Sequence, residues 1–489
     1  MTVPSHGGQR VVIVGAGLTG LVAALLLARD GHRVTVLERD PDVPPADGAR
    51  AWSHWSRPGV PQFRLPHTMA PRWWRELRHE LPQVAEQLLE LGGEPVNSLD
   101  AARWPEAVRG GRRPGDERFD TVAARRPLVE AALALVAERT PGLRVVRGRT
   151  VTGLLATTGD DGIPHVGGVR TRQGDVLTAG LVVDAGGRGS SVVRLLARIG
   201  ARAPLQERRD SGFVYYCRHF RSDTGRPAFR GMLNYDGLSV TSGPCDAGTW
   251  AATLVTSTRD RALAALRDAG RWDRIARLHP GIAALAAGTP ITGVDVMAMH
   301  DSYRRFTVAG RPVATGLLVV GDAWSCTNPA LGRGGSIGLL HACLLRDVLR
   351  EDGAGGAREL VRRFDEATEQ QLTPWVRASL ALDDHRLGEL HAAMDGQVYR
   401  TEDPQWHFAR RISAAATADP VVLRARAEVS ALLRPASEVW ADPGLRARVD
   451  QAAGERPVPA PPRPSRSGLL AALADDPHEA LSNSTGPAR

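Results

Sequence analysis

RVVIVGAGLTGLVAALLLARDGHRVTVLERD, residues 10–40, has the pattern of a strand, a glycine turn, a helix and a second strand. Its strand segments are apolar and rich in β-branched residues, which is typical of parallel strands covered on both faces. Apolar residues at helical spacing predict a helix from Leu18 to Arg29, and Gly31 is placed to end it. The stretch therefore predicts a βαβ unit within a parallel α/β sheet.

The turn GAGLTG inside this unit has the spacing of a dinucleotide-binding loop. Gly15 permits a tight turn, Gly17 lets a pyrophosphate approach the backbone, and Gly20 lets the helix pack closely on the strand. The helix N-terminus offers free N–H groups and a positive dipole to the phosphates. Glu38 ends the next strand, where a carboxylate binds ribose hydroxyls, and this favours FAD or NAD over NADP.

A second glycine-rich segment, GDAWSCTNPALGRGGS at residues 321–336, follows the apolar run TGLLVV. Asp322 is predicted at the carboxyl end of a buried strand, where it needs hydrogen-bond donors such as those of a polyol chain. Gly332, Gly334 and Gly335 would let the backbone lie against a flat ring. The helix that follows would direct its positive end at a flavin and stabilise the reduced anion, so the segment favours FAD over NAD.

Length and composition restrict the possible classes of protein. The chain has 489 residues, enough for two or three modules, and 43 % of them are hydrophobic. No apolar run approaches the ~20 residues that span a bilayer, so we expect no membrane span. The N-terminal segment MTVPSHGGQR lacks the pattern of a secretory leader, and we expect a cytoplasmic protein.

Charge and cysteine patterns exclude further classes. The net charge is +8, but the chain has no lysine and its arginines are scattered, so we expect no nucleic-acid partner. Without lysine, no Schiff-base chemistry is available. The four cysteines are widely spaced, which predicts free thiols and no metal site.

Three motifs in order carry a family resemblance. GAGLTG, VVDAGGRGSS (residues 182–191) and VVGDAWSCTNPALGRGG (residues 319–335) resemble the dinucleotide, DG and GD motifs of single-chain flavoprotein monooxygenases with the p-hydroxybenzoate hydroxylase-like (group A) fold. WSRPGVPQFRLPH (residues 55–67) and YYCRHF (residues 215–220) are similar to segments of actinobacterial polyketide-tailoring hydroxylases and epoxidases. The chain departs from the family in the DAGGRG turn and at Leu331, where relatives often have an aromatic residue.

The resemblance implies a set of cofactor contacts. Glu38 would bind the ribose, Asp322 the ribityl chain, and Arg126 or its neighbour Arg125 the pyrophosphate. Asp184 would help to form the contacts with FAD and NAD(P)H around the DG motif. The full set of residues expected at the cofactor is Gly15, Gly17, Gly20, Glu38, Arg39, Arg57, Gln62, Arg126, Val151, Asp184, Asp322, Pro329, Gly332, Gly334 and Gly335.

The rest of the chain predicts the domain organisation. Residues 1–204 and 306–357 are expected to form the two parts of a Rossmann-like FAD domain around a substrate domain at 205–305, whose alternating segments predict an antiparallel sheet. APRWWRELRHELPQVAEQLLELG, which begins at Ala70, is helix-like. Residues 358–455 are expected to be helical, and 456–489 to be a proline-rich disordered tail with a short docking helix.

The segment VYYCRHF supplies the substrate-site candidates. Tyr215 and His219 face one side of a strand and Tyr216 and Arg218 face the other, so only one set can line a pocket. Any base that deprotonates a phenol is expected in this segment, with His219 or Tyr215 as first choices.

The combined prediction is an FAD-dependent monooxygenase that takes electrons from NAD(P)H. It would use O2 to hydroxylate, or else epoxidise, an apolar or aromatic small molecule of secondary metabolism through a flavin C4a-(hydro)peroxide. The alternatives are a flavin-dependent reductase of a C=C bond, a non-catalytic FAD protein that binds a metabolite, and reduction by a separate flavin reductase. A flavin halogenase is excluded because its catalytic lysine and WxWxIP run are missing.

Overall fold

The βαβ unit predicted at residues 10–40 lies at the centre of a parallel sheet. The computed structural model describes residues 8–100, 108, 110–159, 161–227, 231–279, 283–351, 356–454 and 465–474. In spatial order the parallel strands are β18 (Leu317–Val319), β9 (Leu181–Asp184), β1 (Arg10–Val14), β2 (Arg33–Leu37) and β5 (Leu143–Val146). Val12 and Ile13 point to opposite faces and both are buried, so the sheet is covered on both sides, as the apolar pattern predicts.

A long antiparallel sheet forms the second layer, as the alternating segments predict. Its strands, in spatial order, are β11 (Gly231–Asn234), β12 (Ser239–Pro244), β13 (Trp250–Ser257), β10 (Leu205–Arg221), β15 (Asp295–Arg305) and β19 (Ser325–Cys326), with β14 (Thr289–Pro290) beside β10. Strand β19 comes from the segment that follows Asp322, so the chain passes directly from β18 of the parallel sheet into the antiparallel sheet.

Smaller sheets surround these two layers. They are β3 (Glu94–Asn97) with β4 (Asp120–Ala123), β6 (Val151–Thr158) with β7 (Pro164–Thr171) and β8 (Val176–Thr178), and β16 (Thr307–Val308) with β17 (Arg311–Pro312). The observed architecture is the expected α/β fold with a Rossmann-like parallel sheet, an antiparallel sheet and a C-terminal helical region.

Helices pack around the sheets and fill the C-terminal part. They are α1 (Leu18–Arg29), α2 (Gly48–Ser53), α3 (Pro71–Glu80), α4 (Pro82–Glu90), α5 (Arg126–Arg139), α6 (Val192–Arg198), α7 (Ala269–Leu278), α8 (Gly334–Arg350), α9 (Gly356–Gln371), α10 (Thr373–Met394), α11 (Pro404–Ala415), α12 (Pro420–Ser430), α13 (Ala436–Ala441), α14 (Pro443–Gly454) and α15 (Arg466–Ala474). The observed helix α1 has the bounds expected from the sequence.

The helix-like run that begins at Ala70 is two helices rather than one. Pro82 disfavours helical backbone at the residue before it, and Leu81 accordingly adopts φ −137° and ψ 60° between α3 and α4. Pro82 then occupies the first turn of α4, where its missing N–H costs nothing.

Two of the C-terminal helices, α10 and α15, pack against the antiparallel sheet. Leu387 and Leu390 of α10 pack in one apolar cluster with Phe213 and Tyr215 of β10. Helix α15 buries Leu469 in a separate cluster on the other side of the substrate sheet, so the predicted docking helix is present. The disorder expected for the tail falls on residues 455–464 and 475–489, which lie outside the described residues.

No helix within the described ranges is both long and apolar enough to cross a membrane.

Candidate active site

Four neighbouring strands of the parallel sheet end at one edge, and each carries a predicted site residue there. Gly15 follows β1, Glu38 follows β2, Asp184 ends β9, and Asp322 follows β18 after a short turn. The carboxyl ends of parallel strands form the crevice in which open α/β sheets hold ligands. Residues that are up to three hundred positions apart in sequence therefore converge because their strands are adjacent.

The glycine turn brings the backbone of β1 and α1 into close contact. Gly15 has φ +102°, a left-handed conformation that favours glycine. A Cβ on Gly20 would lie 2.0 Å from the carbonyl oxygen of Gly15, so no larger residue fits there. Gly17 caps α1 and has open space where its Cβ would be, which leaves the helix N-terminus accessible to phosphate.

Glu38 is buried and already holds several protein donors. Its carboxylate accepts the backbone N–H of Ala16 at 2.8 Å and of Asp40 at 2.9 Å, and Arg57 at 2.6 Å. These contacts use three of about four acceptor positions on a carboxylate. One acceptor position is left for a ribose hydroxyl.

Arg57, one of the residues expected at the cofactor, lines the crevice next to Glu38 and is held there by protein contacts. Arg57 forms ion pairs with Glu38, Asp40 and Glu130, and its side chain is only 1 % exposed. Burial lowers the pKa of Arg57, but these carboxylates outweigh it and raise that pKa overall. The side chain acts as a clamp behind Glu38, at the ribose end of the crevice.

Of the two arginines considered for the pyrophosphate, Arg126 lines the crevice. Its Nε donates to Glu130 at 2.6 Å, and its Nη1 lies 2.9 Å from Nε2 of His67. Arg125 is instead bound through its side chain and backbone to Asp246 of the substrate domain. Burial, with a further effect from Arg126, lowers the pKa of His67 to about 3, so this imidazole is neutral.

Asp184 stabilises its own turn. Its carboxylate accepts the backbone N–H of Gly186 at 2.8 Å and the hydroxyl of Ser190 at 2.9 Å. Burial raises the pKa of Asp184. The residue therefore shapes the DAGG turn at the crevice, and these bonds use two of the about four acceptor positions on its carboxylate.

Asp322 and the 327–335 loop form the opposite end of the crevice. Burial raises the pKa of Asp322, although the positive charges of Arg126 and Arg188 act in the other direction. Its carboxylate accepts no hydrogen bond from the described residues. The predicted loop positions that line the crevice are Pro329, Gly332, Gly334 and Gly335.

Three further predicted residues lie along the same crevice. The Oε1 atom of Gln62 is buried and has no hydrogen-bond partner within the described part of the chain. Val151 lines the crevice at the start of β6, and Arg39 lines it next to Glu38.

The antiparallel sheet presents one of the two alternating sets from VYYCRHF. Tyr215 lines the cavity, and its hydroxyl donates to Oδ1 of Asn328 in the 327–335 loop. Tyr216 and Arg218, the other set, face the opposite side of the sheet and are not among the described residues that line the cavity. Arg218 there pairs with Asp273 and lies over the ring of Trp272.

His219 lies on the same strand but beyond the cavity. Its ring packs against Trp52 with centroids 5.0 Å apart, and both ring nitrogens are buried without a partner among the described residues. Burial lowers the pKa of His219 to about 4. His219 is not among the described residues that line the cavity, which argues against its expected role as the base.

Helix α10 contributes residues that sequence reasoning missed. Asp383 lines the cavity, and Arg333 of the loop donates at 2.9 Å to Ser379, one turn earlier on the same helix. The amide of Asn328 donates to Asp383 at 2.8 Å. This helix carries several other polar and charged side chains, so nothing in the local sequence singled out Ser379 and Asp383 or pointed to the distant loop.

One continuous cavity of about 2690 Å³ joins these parts. It runs from Glu38 past Gly17 and Asp322 to the inner face of the antiparallel sheet and the C-terminal helices. Typical small-molecule pockets measure about 300–1,000 Å³, so the space exceeds what one ligand needs. The cavity can hold a dinucleotide and a second molecule together.

The chemistry of the cavity fits FAD. The open space at Gly17 and the start of α1 suit the pyrophosphate, and Glu38 keeps one position for a ribose hydroxyl. At the other end, the half-buried carboxylate of Asp322 and the buried Oε1 of Gln62 accept no hydrogen bond from the described residues, which suits the hydroxyls of a ribityl chain and the polar edge of a flavin.

Comparison with known proteins agrees with this fit. A family model described as FAD dependent oxidoreductase matches residues 10–127. The chain is 26 % identical over 442 residues to Protein Rv3254 of Mycobacterium tuberculosis, covering 85 % of this chain and 87 % of that protein. It is 31 % identical over 199 residues to a kynurenine 3-monooxygenase of Salinispora tropica, covering 40 % of this chain and 39 % of that protein.

Solved structures extend the likeness in fold. PqsL, a probable FAD-dependent monooxygenase from Pseudomonas aeruginosa, superposes with a TM-score of 0.58 at 17 % identity, covering 78 % of this chain and 97 % of that one. The cavity, the family model and this shared fold lead to one assignment. The chain is a flavin-dependent oxidoreductase that binds FAD and has the fold of the group A FAD-dependent monooxygenases.

Proposed function

We propose that the protein is a monooxygenase that uses O2 and electrons from NAD(P)H to hydroxylate or epoxidise an apolar or aromatic small molecule. The observation that carries the proposal is the continuity of the cavity from Asp322 to an apolar sheet face. That face includes Phe213, Val255 and Met297. FAD, when bound, supplies the electron transfer and the activation of O2. A cavity that joins the cofactor end to an apolar wall suits oxygen transfer to an apolar substrate.

The side chains of this wall bind and shield the substrate and do not supply a nucleophile. Burial raises the pKa of the Cys217 thiol to about 12, so it stays protonated. Burial also raises the pKa of Tyr215 well above its ordinary value, and its hydroxyl is occupied by Asn328. The chain therefore contributes orientation and exclusion of water, which is the protein's part in flavin oxygenation.

Candidate substrates follow from the apolar wall and from the relatives. The Salinispora tropica relative is a kynurenine 3-monooxygenase, and PqsL has been crystallised with 2-aminobenzoylacetate. Both named compounds join an aromatic ring to a polar side chain, which suits an apolar wall with polar groups at one edge. We place kynurenine, 2-aminobenzoylacetate, polycyclic phenols and polyenes in one substrate panel.

The test follows NADH and NADPH oxidation by the FAD-loaded protein with each compound, under 18O2. We expect one 18O atom in the product and NAD(P)H consumption in proportion to it. Turnover that continues without O2 and saturates a C=C bond would replace the proposal with a reductase. If NAD(P)H does not reduce the flavin with any compound present but a separate flavin reductase does, the electrons come from that partner. Flavin that is never reduced would indicate a binding protein.

A pair of matched variants tests the location of the substrate. Val255 on β13 lines the cavity, whereas Val296 on β15, two strands away in the same sheet, is 47 % exposed. We expect Val255→Phe to raise KM or to uncouple NAD(P)H oxidation from product while FAD stays bound, because the ring occupies substrate space. Val296→Phe adds the same ring outside the cavity and should leave both unchanged. Equal effects of the two variants would place the substrate elsewhere.

A further inference from the structure

A buried carboxylate on α10 stands at the meeting point of the 327–335 loop, the substrate sheet and the C-terminal helices. Asp383 is 4 % exposed and lines the cavity. Its Oδ1 atom accepts the side-chain N–H of Asn328 at 2.8 Å. Its second oxygen, Oδ2, is buried and has no hydrogen-bond partner among the described residues.

The partner of Asp383 is held rigidly. Oδ1 of Asn328 accepts the Tyr215 hydroxyl and, at 3.4 Å, the backbone N–H of Ala330, which leaves the Nδ2 group to face Asp383. Asn328 immediately precedes Pro329 at the cofactor end of the cavity. Asp383 is therefore fixed relative to both the cofactor loop and the substrate sheet.

The surroundings set the proton affinity of Asp383 near neutrality. Burial raises its pKa to about 7, and the nearby negative charges of Asp301 and Asp384 act in the same direction. The Asn328 hydrogen bond and the positive charge of Arg209 oppose that rise. Two further ionisable groups face this carboxylate, Arg333 from the loop and Tyr215 from the sheet. A group that exchanges its proton around pH 7 is suited to acid–base work.

A purely structural role explains only part of this arrangement. A tether between α10 and the loop needs one acceptor for Asn328, and an amide would supply it without an ionisable group. A buried carboxylate oxygen without a donor costs free energy unless a ligand completes its hydrogen bonding. Asp383 lines the cavity, so a carboxylate that still lacks one hydrogen-bond donor among the described residues points to a ligand.

We propose that Asp383 is the acid–base residue of the substrate cavity and that its carboxylate accepts a proton from an acidic hydroxyl or N–H of the substrate. This inference rests on the proposed function. The proton moves from the substrate oxygen or nitrogen to the carboxylate of Asp383. The electron pair of the broken O–H or N–H bond stays on the substrate oxygen or nitrogen. The conjugated system becomes more electron-rich for oxygen transfer, and the proton is returned to the product.

The first test detects the proton without any substrate. Infrared difference spectra of the FAD-loaded full chain are recorded from pH 5 to pH 9. We expect a protonated-carboxyl band that is lost with a midpoint of about 7. It should be missing in Asp383→Asn, which keeps the acceptor for Asn328, and present in Asp384→Asn, which removes the exposed neighbouring carboxylate paired with Arg209. A band that persists in Asp383→Asn would overturn the assignment, and so would the lack of any titrating band in the wild type.

The second test asks whether Asp383 faces a ligand. Binding of 2-naphthol and of 2-methoxynaphthalene, which lacks the acidic proton, is measured by tryptophan fluorescence at pH 6 and pH 8. A hydrogen bond to an ionised acceptor is stronger than one to a neutral acceptor, so 2-naphthol should bind about tenfold more tightly at pH 8. The ether should bind equally at both pH values, and Asp383→Asn should abolish the pH effect for 2-naphthol.

The outcomes separate this inference from the proposed function. Equal affinity of 2-naphthol for the wild type and Asp383→Asn at both pH values, or no binding of 2-naphthol to the wild type, would overturn the role of Asp383. Neither measurement requires turnover. If both give the expected results but no oxygen is transferred, the monooxygenase proposal is rejected, while the role of Asp383 in ligand binding still stands.

Discussion

Replacing Arg57 with methionine should destabilise the protein far more than removing an exposed arginine. Arg57 pairs with Glu38 and Glu130 at 2.6 Å each and with Asp40 at 3.2 Å, with its side chain 1 % exposed. Methionine keeps much of the volume but leaves these carboxylates buried without their shared cation. Breaking a buried ion pair from one side costs about 3–5 kcal/mol, and we expect a loss of about 4 kcal/mol in the free energy of unfolding.

The matched control is Arg350→Met. Arg350 pairs with Asp30 at 2.6 Å, but its side chain is 49 % exposed. Exposed pairs contribute about 0–1 kcal/mol because water and salt screen them. Urea unfolding of both variants, followed by tryptophan fluorescence at pH 7 without added FAD, compares the two losses directly. Arg57→Lys, which keeps the charge but not the planar fork, should fall between the wild type and Arg57→Met.

A particular result would refute this reasoning. If Arg57→Met and Arg350→Met lost the same free energy of unfolding, the carboxylates around Arg57 would be hydrated or protonated rather than dependent on its charge. The clamp behind Glu38 would then contribute nothing to the crevice.

Three further predictions follow from single contacts. Gly20→Ala should fail to retain FAD, because its Cβ would lie 2.0 Å from the Gly15 carbonyl oxygen; a full equivalent of bound flavin by absorbance would contradict this. Tyr215→Phe should lower the free energy of unfolding, measured by urea titration, by about 1 kcal/mol because Asn328 loses its hydroxyl donor. An unchanged free energy of unfolding would show that this hydrogen bond does not stabilise the fold. Burial lowers the pKa of His341 to about 3, so the unfolded chain takes up a proton below about pH 6.5 that the folded chain does not, and stability falls as the pH drops. His341→Gln should reduce that fall by about 2–3 kcal/mol between pH 6 and pH 4, and an unchanged slope in urea titrations would contradict it.

The parallel layer was predictable because its information is local. The βαβ unit, the glycine turn and the position of Glu38 all lie within residues 10–40, and helix α1 has its expected bounds. The position of Asp322 was also predictable, since a carboxylate directly after a buried strand needs hydrogen-bond donors. Its place beside β9 and β1 then follows from the carboxyl edge of a parallel sheet.

The details that depend on distant contacts were not predictable. Alternation along β10 gave two sets of candidates, and only the packing of α7 on one face and the cavity on the other decides between them. The contact between Asn328 and Asp383 joins residues 55 positions apart through the docking of α10, which no periodicity encodes. The bond between Arg57 and Glu130, 73 residues away, is likewise not visible in the local sequence.

The central claim is that one FAD molecule extends from the Glu38 end of the cavity to Asp322. FAD titration of the apoprotein, followed by quenching of flavin fluorescence, tests it most directly when wild type is compared with Asp322→Asn. Asp450→Asn, which alters an exposed carboxylate on α14, is the control. The wild type and the control should bind one equivalent with the same Kd. Asp322→Asn should bind at least about tenfold more weakly, because charged acceptors form the stronger hydrogen bonds, while its apoprotein is as stable as the wild type. Binding by Asp322→Asn with the wild-type Kd would contradict the claim.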